Sequence, residues 1–199
     1  MPTQDDILSI VTDELNANPT AVSHGADAAI IAQAVWNNAQ TRNTDPVLAL
    51  AHMKLESSFD PMAYKWENNK LGASIGLMQV LIDTARGYGF SGAEGDLMDQ
   101  ATNIYYGIWY MSDVQKQYGF EGGIIAYNAG HVVYTTDTTA YLNLVKKYYD
   151  QYQAKIGGTT SSDQQAAQAP APANNAGTVI AGIVLGFFGI FAVNKLTKK

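Results

Sequence analysis

Val47-Leu-Ala-Leu-Ala-His-Met-Lys-Leu-Glu56 is a nearly all-apolar run that ends on a carboxylate. Asp45-Pro46 stands before it, an N-cap residue followed by proline at the first helical position. Ser57-Ser-Phe-Asp-Pro61 follows, and Pro61 biases the residue before it away from helix. The pattern predicts a helix over Val47 to Glu56, apolar on most faces and therefore central. Helical spacing recurs around it. Ile7, Leu8, Ile10, Val11 and Leu15 mark a helix over Asp5 to Asn16; Ala28, Ile31, Ala32, Val35 and Trp36 mark one over Asp27 to Arg42. Further helices are expected at Leu77 to Arg86, Gln100 to Tyr118, Gly122 to Tyr127 and Ala140 to Ala154. Asn69 to Gly76 reads as a loop, and any β-structure is expected between Tyr64 and Ile75. The body is mainly α.

The 199 residues suit one domain with an appendage, and they bury a core without disulfides or a structural metal. Net charge is −6, which argues against a nucleic-acid partner, because phosphate binding needs a basic footprint. The absence of cysteine removes a thiol nucleophile and a Cys-ligated zinc. All eighteen acids and nine of the twelve bases lie before residue 164, so the body carries about −9. The other three bases, Lys195, Lys198 and Lys199, crowd the end.

Thr178 to Val193 contains no charge and is apolar on all faces. About sixteen residues make a helix of about 24 Å, close to the thickness of a hydrocarbon core. The expectation is a transmembrane helix over residues 176–194 with a basic tail at 195–199, and a lipid bilayer as partner. Gly182 and Gly186 form a GxxxG pair that could pack against a partner helix. Residues 157–175 are rich in Gly, Ser, Thr, Gln, Ala and Pro and read as a flexible tether. Residues 1–156 are then the folded body. The opening Met1-Pro-Thr-Gln-Asp-Asp lacks the basic start and apolar core of a secretory leader, so none is expected.

Glu56 is the residue that carries chemistry. Ala49, Leu50, Met53, Leu55 and Phe59 surround it in sequence and would desolvate its carboxyl, which disfavours the charged form. The negative end of the helix dipole pushes the same way. A carboxyl kept protonated near neutral pH is what a general acid for a glycosidic oxygen requires.

Glu56-Ser-Ser-Phe-Asp-Pro61, Gly72-Ala-Ser-Ile-Gly-Leu-Met-Gln79, Asp83-Thr-Ala85, Asn103-Ile with Gly107, and Ala126-Tyr-Asn-Ala-Gly130 follow one another in order. Together they resemble the soluble lytic transglycosylase family of peptidoglycan enzymes, related to goose-type lysozyme, with a motif core over residues 42–152. The resemblance implies a lysozyme-like, mainly α fold with a saccharide groove between two lobes. It implies that Glu56 is the catalytic acid and that Gln79, Tyr127 and Asn128 line the groove. Tyr141 takes the place of a late groove tyrosine, and Ser57 stands beside the acid to steady it. Where the family often carries Met and Pro after this glutamine, the chain has Leu81 and Ile82, so sugar packing passes to Leu81. His131-Val-Val follows Gly130 in place of the usual Gly or Pro.

Gly72-Ala-Ser-Ile-Gly76 also fits the serine-hydrolase pattern GxSxG. That elbow needs a buried strand before it, and Lys65-Trp-Glu-Asn-Asn-Lys is polar, so Ser74 reads as structural. His24, His52 and His131 are scattered without metal-ligand spacing and read as structural; no metal is expected. Trp36, Trp66 and Trp109 read as core residues, with Trp66 the candidate for the groove.

Glycosidases that use water generally place two carboxylates. Asp60, Glu67 and Asp83 are candidates for a second. One acid suffices if the N-acetyl group of N-acetylmuramic acid assists, which is the non-hydrolytic reaction the resemblance implies, and it needs no cofactor. The expected function is cleavage of the MurNAc-β-1,4-GlcNAc bond to a 1,6-anhydro product, with peptidoglycan strands as partner. The alternatives are a hydrolytic muramidase, a cell-wall remodelling or secretion-associated transglycosylase, and a non-catalytic peptidoglycan-binding membrane protein. A tail anchor without a leader suggests a bacteriophage virion enzyme in a viral membrane, opening the wall for genome delivery. The other placement is the periplasmic side of a bacterial inner membrane.

Overall fold

The computed structural model describes residues 2–67 and 72–157. Helix α1, Gln4–Asn16, starts where Thr3 and Asp6 cap each other reciprocally. The short α2, Pro19–Ser23, begins after the Asn18 side chain, and sequence patterning missed it because five residues carry no periodicity. Helix α3, Ala28–Arg42, is capped by Asp27 and ended by Asn43 in the left-handed region. Helix α4, Pro46–Glu56, begins at the Asp45 cap with proline in its first turn, as the pattern predicts. Its residues from Pro46 to Met53 are all buried. Each large side chain among them contributes about 1.5–3 kcal/mol by leaving water. Helices α1 and α3 and the last helix of the body pack against it.

Three strands follow: β1, Tyr64–Trp66, β2, Ala73–Ile75, and β3, Val80–Leu81. They form an antiparallel sheet in chain order, with Tyr64 opposite Ile75 and Ile75 opposite Val80. The expected helix over Leu77 to Arg86 is therefore only partly present. Residues 77–79 turn, β3 pairs, and helix α5 covers just Ile82–Gly87. The physical reason is tertiary. The buried Asn103 donates from Nδ2 to the carbonyls of Ile75 (2.7 Å) and Leu97 (2.8 Å) and accepts from the Met78 amide (2.8 Å). These bonds satisfy the backbone of the turn and hold Leu77 and Met78 in the core.

After a 3-10 turn at Glu94–Met98, α6, Gln100–Ala129, joins the two helices expected there across a sharp bend at Gly119 (φ 73°). Glycine takes this backbone conformation without a Cβ penalty. Helix α7, Thr136–Lys155, closes the body. The Tyr149 hydroxyl donates to Asp45 (2.6 Å), joining α7 to the cap of α4. Lys54 on α4 pairs with Glu14 (2.7 Å), which also accepts from Tyr152 (2.9 Å), so α1, α4 and α7 are tied at one corner.

No helix among the described residues is long and apolar enough to cross a membrane. The tether from residue 158 onward, the expected membrane helix with its Gly182 and Gly186 pair, and the basic tail lie outside the described residues.

Gly107 shows how closely α6 approaches the turn: a Cβ there would lie 2.5 Å from the Met78 sulfur. Gly107→Ala is expected to lower stability by about 1–3 kcal/mol through overpacking. Equilibrium denaturation checks this, and unchanged stability would mean that Met78 moves aside freely.

Candidate active site

Glu56 is the last residue of α4. Its Oε1 accepts from the Tyr141 hydroxyl of α7 at 2.5 Å. The residue keeps some contact with solvent, yet its carboxyl is lodged among protein atoms, and burial pushes its pKa from 4.5 up to about 7. The Tyr141 bond and the Lys65 ammonium pull in the opposite direction, and the Glu67 carboxylate adds a smaller upward push. Desolvation wins. The carboxyl exchanges its proton near neutrality, where both the acid and the conjugate base are available.

Tyr127 of α6 is buried and donates its hydroxyl to the Met78 carbonyl (2.8 Å). Its ring lies 4.3 Å from that of His52, centroid to centroid. Burial and the Glu56 charge raise the phenols of Tyr127 and Tyr141 well above their ordinary range, so both keep their protons. Asn128 follows Tyr127, half-buried. Ser57 steadies the helix end without touching the acid: its hydroxyl donates to the Leu77 carbonyl at 2.7 Å. Gln79 has a left-handed backbone (φ 46°), and its amide donates to the carbonyls of Ala63 (3.1 Å) and Gly76 (3.0 Å). The hydrogens of its amide group thus brace the hairpin. Leu81 of β3 is only 8% exposed, which leaves it little surface to offer a sugar. Trp66 on β1 is 62% exposed, a surface aromatic.

The three candidates for a second carboxylate separate clearly. Asp60 is held by His24 Nδ1 (2.9 Å) and caps the Met62 amide (2.9 Å). Asp83 sits on α5, half exposed, 3.7 Å from Arg86. Glu67 has a side chain only 13% exposed, paired with Lys65 (2.9 Å) and accepting from the Ser74 hydroxyl (2.9 Å). Of the three, Glu67 is the one whose charge acts on Glu56. Ser74 lies inside β2, and its hydroxyl donates to Glu67.

The sequence reading missed two features. Ser58 and Phe59, directly after the acid, both have positive φ (54° and 65°), a strained pair in non-glycine residues. His52, read only as structural, is fully buried and bonds to Tyr141 (2.9 Å). Its place one helical turn before Glu56 is the signal that would have found it. No cluster of possible metal ligands occurs among the described residues.

Two outcomes follow from this electrostatic balance. Tyr141→Phe removes a hydrogen bond that favours the carboxylate, so the Glu56 pKa is expected to rise by about 1–2 pH units; carboxyl 13C titration measures it, and a fall would refute the assignment. The folded chain also binds the Glu56 proton more tightly than the unfolded chain does. That contribution to stability is complete below pH 4.5 and is lost as pH rises through about 7. Glu56→Gln has no such proton to lose. It is expected to gain about 1–2 kcal/mol over the parent between pH 5 and pH 8, read from unfolding midpoints at both values.

A family model of the transglycosylase SLT domain matches residues 33–149. Among solved structures, an inactive mutant of the lytic transglycosylase Slt from Pseudomonas aeruginosa superposes with a TM-score of 0.54 at 22% identity. The match covers 64% of this chain and 25% of that one, so the chain corresponds to a quarter of the longer protein. Identity this low speaks for a shared fold alone. A comparison with curated proteins yields no match. The family match spans more than half of the chain and contains both the central helix with Glu56 and the tyrosines against it: the chain belongs to the family of SLT transglycosylase domains.

Proposed function

We propose that the protein is a peptidoglycan lytic transglycosylase with Glu56 as its single general acid and base. The observation that carries this reading is a carboxyl at the end of a buried helix whose proton exchanges near neutral pH, on a domain of the matching family. Protonated Glu56 gives its proton to the oxygen linking N-acetylmuramic acid to N-acetylglucosamine, and the C1–O bond breaks. The neighbouring N-acetyl carbonyl supports the positive charge at C1. Glu56, now a carboxylate, takes the proton of the sugar's own C6 hydroxyl, whose oxygen closes on C1 as a 1,6-anhydro ring. Water is not consumed, and Glu56 is returned to its starting state. Gln79, Tyr127 and Asn128 would orient the sugar.

Glu67 supports a second reading. A second, partly buried carboxylate whose charge reaches Glu56 is what a hydrolytic muramidase would use to activate water. Mass spectrometry of digested peptidoglycan separates the two, because the transglycosylase leaves anhydro ends and the muramidase leaves reducing ends. Glu56→Gln is expected to lower wall clearing by at least about 10²–10⁴-fold while the fold is kept. Glu67→Gln should leave the anhydro product intact; loss of all product in that variant would favour the hydrolytic reading.

Placement rests on sequence alone. The apolar run over Thr178 to Val193, the three terminal lysines and the preceding tether support a bilayer anchor from which the acidic body reaches the wall. About nineteen flexible residues reach about 25 Å. We place the enzyme in the membrane of a bacteriophage virion, opening peptidoglycan locally for genome delivery. Antibody detection in purified virions supports this, and detection only in uninfected host envelopes overturns it.

A further inference from the structure

His52 is a fully buried histidine that the mechanism above does not use. It lies one helical turn before Glu56 on α4, and its Nδ1 is 2.9 Å from the Tyr141 hydroxyl oxygen. The same hydroxyl is 2.5 Å from Glu56 Oε1. The other ring nitrogen, Nε2, is buried without a partner among the described residues. The three side chains therefore form one hydrogen-bonded chain that ends at the acid.

Proton counting gives the chain a direction. Burial pushes His52 down to about 3, so the ring is neutral and carries one proton. Tyr141 stays a phenol with one hydrogen. That hydrogen points to Glu56, because a bond to a carboxylate is stronger than one to a neutral ring. Nδ1 must then be the donor to the Tyr141 oxygen. The tautomer also fits the unpaired Nε2. A bare ring nitrogen without a partner costs less than an orphaned N–H, and orphaned buried N–H groups are rare.

We infer that His52 is a positioning residue for the acid: its Nδ1–H donates to Tyr141, Tyr141 donates to Glu56 Oε1, and the transferable proton is confined to Oε2. The inference rests on the reading of Glu56 as the acid. With Oε1 filled as an acceptor in both protonation states, the carboxyl keeps one orientation and one working oxygen. The groups acting on Glu56 are Tyr141 from α7, Tyr127 from α6, Lys65 from β1 and Glu67 just beyond it, while His52 on the same helix reaches it through Tyr141. His52 is neutral, so it acts by polarising the Tyr141 hydroxyl and not by its charge. A polarised donor holds the carboxylate more strongly. Removing the His52 donor should therefore raise the pH at which Glu56 loses its proton.

Long-range 1H–15N spectra of the 15N-labelled full-length chain read the tautomer directly. Nδ1 is expected to carry the proton, with Nε2 bare, at pH 6 and at pH 8. An Nε2–H ring or an imidazolium at either pH overturns the proposal, and this measurement needs no variant to fold. In parallel, His52→Phe keeps a ring and removes the donor, while His52→Asn returns an N–H near the Nδ1 position. The alkaline limb of the wall-clearing rate should move up by about half a pH unit in His52→Phe, with little change in KM, and return toward the parent in His52→Asn. A lower unfolding midpoint with an unmoved limb in His52→Phe would mean packing alone and would overturn the proposal. The Glu56 reading fails separately, by an active Glu56→Gln variant, which leaves the tautomer result standing as a statement about the hydrogen-bonded chain.

Discussion

The site depends on one constraint: α4 is buried along its length and carries its carboxyl at the very end. Eight consecutive residues, Pro46 to Met53, are closed to solvent, so the helix can neither rotate nor slide without opening the core. Its start is held by the Asp45 cap and its bond from Tyr149, and its last turn by Lys54 against Glu14. Glu56 thus emerges from a rigid element against Tyr141 of α7. A carboxylate on a loop would find water and return to an ordinary acidity; here the helix prevents it.

The charge state of that carboxyl is the result of opposing effects, of which burial is the largest. Burial favours the acid, while the Tyr141 hydroxyl and the Lys65 ammonium favour the base. Tyrosine is suited to this place because its own pKa is driven up by the same burial, so it keeps the proton it donates. Several residues of the motif stretches serve as scaffolding for this balance. Asn103 ties three backbone groups of the turn, and Ser57 fastens the acid's helix end to Leu77. Positive φ at Ser58, Phe59 and Gln79 places backbone strain around the acid, held by the packing of Phe59 and the bonds of Gln79.

Where the chain forms helices was legible from periodicity, with the Asp45 cap marking the start of α4; the structure shows the same kind of cap on other helices, and at Thr135 it starts α7 four residues before the periodicity does. Thr3, Asp27, Asp45 and Thr135 each cap a helix whose apolar residues face the core. Leu77 to Leu81 failed because an apolar run of that length serves a helix or a buried hairpin equally well. The deciding partner, Asn103, lies 25 residues from Met78, outside any local window. Glu56 was legible from its apolar neighbours and the motif that follows, whereas Ser57 stands beside the acid in sequence and spends its hydroxyl elsewhere.

The sequence by itself determined the central helix, the carboxyl at its end and the kinds of side chain able to serve it, because caps and apolar periodicity are local properties. The tertiary structure alone decided which groups meet. It brought Tyr141 to Glu56 across 85 residues and His52 to Tyr141 across 89. It separated Glu67 from Asp60 and Asp83, three carboxylates with equal claims in the sequence. The reason is physical: a pKa and a hydrogen bond depend on distances of a few ångströms between groups far apart in the chain, and only the packed core sets those distances.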